Sequence, residues 1–202
     1  MAFNFATRDL SAQQQNIIRI RKEKDDKLRH QSTITKDDRT YEIAIMMKLG
    51  NDTEVKIDGN KTMEIYKNFC DQNTNVWFST DSHTSGIGKK MRGKFNDAIS
   101  RGKIVEIYFI IGKRCNGIND IEYRAEVVDI ESDAKGICSP DVNLTPIEYK
   151  KENKKIWIKI TNLQRVNNIN VKDFIIASTK KDLKEAIENS QYHFGYIKKK
   201  IN

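Results

Sequence analysis

The chain has little cysteine and little histidine, and neither residue type is clustered. The three cysteines are Cys70, Cys115 and Cys138, and the three histidines are equally scattered. An odd number of distant cysteines gives no disulfide framework and no C-x-x-C metal knuckle. A zinc site also needs closely spaced ligand pairs. We therefore expect neither a metal nor another cofactor.

Long apolar runs are missing as well. No segment approaches the roughly 20 apolar residues that a membrane-spanning helix needs. The first residues also lack the apolar segment of a secretory signal. The sequence thus predicts a cytoplasmic protein that does not enter a membrane.

Residue types that catalyse reactions occur without usable spacing. Asp81, Ser82 and His83 are the types of a catalytic triad, but adjacent residues cannot converge on one substrate. The segment 85–90 (SGIGKK) lacks the G-x-x-x-x-G-K-[ST] spacing of a phosphate-binding loop. We expect a binding protein and not an enzyme.

Positive charge, in contrast, is abundant. The 202 residues carry a formal net charge of +8, which favours a polyanionic partner such as nucleic acid. The plainer interpretation is a bland basic surface in a proteome rich in lysine and asparagine. The distribution of the charge along the chain has to decide between the two.

The chain divides near residue 40. Residues 1–40 predict a charged N-terminal helical arm or linker, because Ser11 can cap a helix whose apolar stripe is thin. Residues 41–202 have the patterns of one folded domain, which is long enough to bury a core.

Strand and helix patterns alternate within residues 41–202. The run 104–111 (IVEIYFII) is almost continuously apolar, which predicts a strand buried on both faces. Ile87, Met91, Phe95 and Ala98 recur at helical spacing and predict a helix over about residues 88–100. Further strands are predicted at 41–49, 53–57, 76–79, 121–130, 156–160 and 171–177, and further helices at 61–71 and 181–190, before a basic tail at 198–200. This order suits an α+β fold, a small mixed β-barrel with helices packed outside.

Two neighbouring segments are the most informative part of the chain. The strand end 75–80 (NVWFST) has Trp77 shortly before Ser-Thr, and a loop of small residues leads from it to the basic helical segment 89–95 (KKMRGKF). This order resembles the YTH domain, a PUA-like fold of the EVE type that holds a flipped-out methylated adenine in an aromatic cage.

Three further segments strengthen the resemblance. Residues 102–112, 120–127 and 155–163 are similar to strands of that family and occur in the same order. The resemblance covers about residues 55–190. It implies a PUA-like or YTH-like barrel that binds a modified base.

The resemblance also implies which residues form the cage. Trp77 matches the first cage tryptophan, and the backbone carbonyl of Phe78 matches the acceptor for the methylated amine. Ser79 and Thr80 match the residues that shape the pocket floor. Without the family context, Trp77 is an ordinary core tryptophan at a strand end. Solvent exposure of Trp77 in a concave basic groove would separate the two interpretations.

The second wall of the cage departs from the family pattern. The loop of residues 133–153 contains no tryptophan, so Tyr149 is the first candidate wall, Leu144 the second, and Ile137 is also available. The polar partner for a ring nitrogen of the base corresponds to Asp58 and Asn60. Their plainer interpretations are an ordinary turn and an ordinary helix cap.

Basic residues crowd the helix that follows the proposed cage. A run of charge is usually a solvated face, but its position after Trp77 favours contacts with phosphate groups. The predicted phosphate-binding residues are Lys89, Lys90, Arg92, Lys94, Arg101, Lys113 and Arg114.

These features predict a non-catalytic protein that binds methylated DNA or RNA, with 6-methyladenine as the first choice. Related modules serve as specificity domains of modification-dependent restriction systems, which implies a motor and nuclease in a partner or a fused effector. One alternative is an EVE-like reader of modified cytosine. The other is a protein-interaction domain whose basic helix docks on an acidic protein and whose Trp77 belongs to the core. The sequence does not decide between DNA and RNA.

Overall fold

The computed structural model of the chain describes residues 39–51, 56–189 and 192–200. The charged arm predicted for residues 1–40 lies outside the described residues, except for its last two positions. Most of the strand predicted at 53–57 also lies outside them. The described part has a mixed α+β fold with one seven-stranded sheet and three helices.

The strands and helices follow each other in an irregular order. The strands are β1 (Ala44–Leu49), β2 (Asn75–Thr80), β3 (Val105–Ile111), β4 (Ile121–Cys138), β5 (Asn153–Arg165), β6 (Phe174–Ile176) and β7 (Phe194–Lys199). The helices are α1 (Gly59–Asn73), α2 (Lys89–Ser100) and α3 (Leu183–Asn189), and short 3-10 turns occur at Lys113–Cys115, Val142–Leu144 and Val171–Asp173.

The sheet is open. Its strand order is β2-β5-β4-β3-β1-β7-β6, with β1 and β3 parallel and every other neighbouring pair antiparallel. Within the described residues, β2 and β6 each pair with a single strand, so the sheet has two free ends. The α+β class is as predicted, but the closed β-barrel is not confirmed.

Side-chain alternation in the central strands builds a core on each face of the sheet. Ile107 and Phe109 of β3 join the cluster that includes residues of α1 and α2, which we call the main core. Tyr108 and Ile110 of β3 join the cluster that includes residues of α3, which we call the minor core. All residues of β3 are buried, so the predicted strand with two buried faces is confirmed.

The first two helices lie where the periodicity predicts them. α1 begins slightly earlier than expected because the Asp58 carboxylate caps it, accepting a hydrogen bond of 2.8 Å from the Lys61 N–H. α2 places Phe95 and Ala98 in the main core. The chain then turns at Gly102, whose φ of 73° is a conformation that glycine adopts without strain.

The C-terminal half differs more from expectation. β4 runs well past its predicted end at residue 130, because register shifts, one of them between Ser132 and Ile137, bend it while it stays paired with β5. The predicted basic tail is corrected, since Lys198 and Lys199 end strand β7 and pair with β6. β7 also pairs with β1 and completes the sheet on that side.

Candidate functional site

Trp77 lies at one end of the sheet, on the face opposite the main core. Its neighbours Val76 and Phe78 both belong to the main core. Because successive strand residues point to opposite faces, Trp77 points to the other face. β2 pairs with β5 in a register that sets Trp77 opposite Lys159 and Ser79 opposite Trp157.

Both tryptophans of the chain therefore share this outer face, and both are buried. Trp77 is 4% exposed and Trp157 is fully buried, yet neither belongs to the main core or the minor core. The Trp157 indole N–H donates to the Ile137 carbonyl at 2.9 Å, and the Val142–Leu144 turn contacts β2. The end of β4 and the connection between β4 and β5 thus both contact this end of the sheet.

This burial bears on the two interpretations of Trp77. Its ring is not an exposed cage wall in this conformation, which by itself favours a structural role. Surface cavities of about 340 and 520 Å³ occur elsewhere in the described part of the chain, and Trp77 lines neither of them.

Tyr149, the first candidate for the second wall, lies in the main core. Its ring is 2% exposed and stacks on Tyr66 with 4.8 Å between ring centroids. Its hydroxyl is 3.5 Å from the Thr62 hydroxyl of α1. Burial also raises the pKa of Tyr66 well above its usual value. Trp77 is on the opposite face of β2, so Tyr149 does not face it. Leu144 is half-buried in the turn that contacts β2, and its role as a wall stays a prediction.

The residues predicted for the pocket floor hold the end of β2 in place. The Ser79 hydroxyl donates to the Glu152 carboxylate at 3.1 Å and lies 3.2 Å from the Tyr66 hydroxyl. The Thr80 hydroxyl donates to the Ser82 hydroxyl at 3.0 Å. The Phe78 side chain is buried in the main core.

A second set of contacts joins this strand end to the start of β5. The Asp81 carboxylate accepts a hydrogen bond of 2.8 Å from the Lys155 N–H and lies 3.6 Å from the Lys154 ammonium. Lys154 also lies 3.6 Å from Glu152. These ion pairs fix where the β4–β5 connection returns to the sheet.

Asp58 and Asn60 lie at the start of α1 and have structural partners there. Asp58 is the N-cap of the helix. The Asn60 amide donates to the Cys115 carbonyl at 2.6 Å, which ties α1 to the Lys113–Cys115 turn. The plainer interpretation made Asn60 the cap, which is wrong, since Asp58 caps the helix and Asn60 lies within its first turn. A base contact by either residue stays a prediction.

The predicted phosphate-binding residues form two groups. Lys89, Lys90 and Lys94 are exposed on α2 and have no ion-pair partner within the described part of the chain. Arg92 is half-buried and lies 3.5 Å from Glu131, while Arg101 pairs with Asp97 at 3.0 Å. Within the described part of the chain, the lysines of α2 are thus the exposed cations of this group without an acidic partner.

The second group lies beyond the C-terminal end of β3, the strand that runs parallel to β1. Lys113 and Arg114 are exposed in the turn that follows β3. Burial, and then the charges of Arg114 and Lys113, lower the pKa of Lys48 at the end of β1. The sequence analysis missed Lys48 because only the parallel pairing of β1 with β3 brings it to this turn.

Metal ligands, free thiols and membrane-spanning helices were also considered. Across residues 39–51, 56–189 and 192–200, no three His, Cys, Asp or Glu side chains lie close enough together to hold a metal ion. Cys70 and Cys115 are buried free thiols, and Cys138 is an exposed one. No helix in this described part is long and apolar enough to span a membrane.

The chain was compared with protein families, curated proteins and solved structures, and only the solved structures gave matches. No family model matches the chain, and no curated protein matches it. Among solved structures, the chain is similar to the crystal structure of the Pho92 YTH domain in complex with m6A. The identity is 16%, the match covers 75% of this chain and 77% of that one, and the TM-score is 0.33.

Proposed function

We propose that this chain is a non-catalytic reader of nucleic acid, which holds a methylated base against Trp77. The observation that carries the proposal is a tryptophan buried at the end of the sheet, outside both cores. Within about fifteen residues it is followed by a helix with three exposed lysines that lack acidic partners among the described residues. A tryptophan followed closely in sequence by free cations suits a base and its phosphates.

The chemistry of the proposed site is recognition by desolvation. A methyl group on an exocyclic amine adds apolar surface to a polar edge, and aromatic and aliphatic walls favour its burial. Trp77 supplies the stacking face and Leu144 the opposing apolar wall. The base must leave its stack, at a cost of a few kcal/mol in a duplex and less in a single strand. Exposing the buried ring of Trp77 lowers the apparent affinity further.

The expected ligand is methylated DNA or RNA with 6-methyladenine as the first candidate base, and modified cytosine as the second. We further propose that the chain acts as the specificity module of a modification-dependent restriction system. Any cleavage then comes from a motor and nuclease partner or from a fused effector. This role rests on the resemblance of the sequence to YTH domains.

A second candidate function is favoured by the burial of Trp77. In that case Trp77 is a structural residue and the basic face of α2 docks on an acidic protein. The lysines on α2 serve either function equally well. Only the behaviour of Trp77 separates the two.

Binding to oligonucleotides that carry a single modified base tests the proposal. The panel includes 6-methyladenine, modified cytosine and unmodified strands, as single-stranded and double-stranded DNA and RNA. Trp77→Ala is expected to abolish the preference for the modified strand, a loss of roughly 1–3 kcal/mol for one stacked base. Trp77→Phe, the matched control, retains an aromatic face and part of the preference.

Thermal unfolding of the same variants completes the test. The proposed function expects Trp77→Ala to remain folded at the assay temperature. A wild-type protein with no preference for any modified strand overturns the proposal. A Trp77→Ala protein that unfolds early, or one that keeps the preference for the modified strand, supports the structural role instead.

A further inference from the structure

Lys159 occupies the position on β5 directly opposite Trp77. The register of β2 and β5 pairs the two residues. Residues paired in this way have Cβ atoms about 4.5–5.5 Å apart and project from the same face of the sheet. Lys159 therefore extends over the outer face beside the tryptophan, with Trp157 two residues away along β5.

Lys159 forms no ion pair within the described residues, although its side chain is half-buried. Its neighbour on β4 is Asp129, whose carboxylate accepts a hydrogen bond of 2.8 Å from the Ile130 N–H and is not at ion-pair distance from the Lys159 ammonium. Partly burying a cation without a partner is unfavourable. An incoming anion would relieve that cost.

We propose that Lys159 binds a phosphate group that flanks the base held at Trp77, an inference that rests on the proposed function. A nucleotide turned out of its strand brings its own phosphates to the rim of the pocket that receives the base. A lysine ammonium is a compact point charge and a common phosphate ligand. Lys159 lies beside the bound base and not along the path of the nucleic-acid backbone. It therefore contacts a phosphate group only when the base is bound.

This condition distinguishes Lys159 from the lysines of α2. The exposed lysines of α2 contact the backbone of any strand and carry no base information. Lys159 adds affinity to the modified strand alone, because only that strand inserts its base. It is therefore a positioning residue, which couples backbone binding to occupancy of the pocket.

The experiment compares Lys159→Gln, Lys159→Arg and wild type on two strands that differ only in the modified base. Lys159→Gln is expected to lower affinity for the modified strand roughly tenfold, as for the loss of one charged hydrogen bond. The slope of log K against log salt falls by about 0.7–0.9 on that strand. The unmodified strand is unaffected, and Lys159→Arg retains most of the binding.

Two further variants keep the result interpretable. Lys172→Gln removes an exposed lysine from the Val171–Asp173 turn and is expected to change nothing on either strand. Lys159→Met retains the length of the side chain without its charge. It replaces Lys159→Gln if that protein unfolds early, and the same loss is expected from it.

The outcomes separate the inference from the proposed function. If wild type does not prefer the modified strand, the proposed function fails. If Trp77→Ala abolishes the preference but Lys159→Gln retains full affinity and salt slope, only the Lys159 inference is overturned. Equal losses on both strands make Lys159 an ordinary backbone contact and also overturn it.

Discussion

The centre of the sheet and its β2–β5 end bury aromatic side chains in different ways. At the centre, β1 and β3 have helices on both faces, and residues such as Phe109 are packed into the main core. At the β2–β5 end, only the inner face adjoins the helices. The outer face has Trp77 and Trp157, both buried, with Lys159 opposite Trp77.

Packing of the fold explains the burial of aromatic residues in the first region but not in the second. Burial at the centre is explained by packing, because apolar side chains from the helices and strands fill the space between them. Burial at the β2–β5 end puts a tryptophan beside a lysine that has no acidic partner in the described part of the chain. Local departures from simple packing of this kind are expected at functional sites.

The largest expected effect comes from the centre. Phe109→Ala is expected to lower the free energy of unfolding by about 3–5 kcal/mol, because it leaves a cavity between α1, β2 and β3. Urea denaturation measures the change. Val128→Ala, at an exposed position of β4, is the control and is expected to change little. A loss below about 1 kcal/mol for Phe109→Ala would contradict a tightly packed centre.

An intermediate effect is expected where the two regions meet. Tyr149→Ala removes a ring that stacks on Tyr66 and is expected to cost about 3 kcal/mol of stability, with no selective loss for a modified strand. Leu144→Ala is expected to cost about 1 kcal/mol in stability and to weaken binding of the modified strand selectively. Urea denaturation measures the stability of both variants. Their binding is measured on two nucleic-acid strands that differ only in the modified base. The reverse pattern would restore Tyr149 as the second wall.

The smallest effect is expected on the exposed face of α2. Changing Lys90 and Lys94 to Glu is expected to weaken modified and unmodified strands alike, roughly tenfold, and to lower the salt slope by about 0.7–0.9 per lost contact. Arg92 is left unchanged because it pairs with Glu131. Titrations at several salt concentrations measure the slope.

The matched control changes the net charge by the same amount but at two lysines outside α2. Lys172 and Lys184 are exposed in the Val171–Asp173 turn and in α3. Their replacement by Glu is expected to have a smaller effect on binding and to leave the salt slope nearly unchanged. If the two double variants weaken binding equally, the total charge of the protein and not the face of α2 attracts nucleic acid.

Local patterns were sufficient to predict α1, α2 and β3. Periodicity of apolar residues is a property of neighbouring positions, and burial of both faces of β3 follows from its unbroken apolar run. Strand alternation also predicts that Trp77 and Phe78 point to opposite faces. Whether the sheet closes depends on pairings between distant strands, so the barrel could not be judged from the sequence.

The candidate site was harder to predict than the fold. Lys159 was overlooked because its proximity to Trp77 depends on the register of two strands far apart in sequence. Tyr149 was the only aromatic residue in its loop, but the loop turns it toward Tyr66. The strand β7 was missed because its pattern is short and ends in lysines.

The position of β7 has a consequence for how the chain folds. β1 lies in the sheet between β3 and β7, and its register joins Ala44 to Ile197. β1 therefore pairs with a strand that lies about 150 residues later in the chain. Such distant contacts slow folding because a long loop must close first. During synthesis the N-terminal strands cannot complete their sheet until nearly all of the domain has left the ribosome. Until then the edge of β1 that β7 will cover stays open to pairing with other chains.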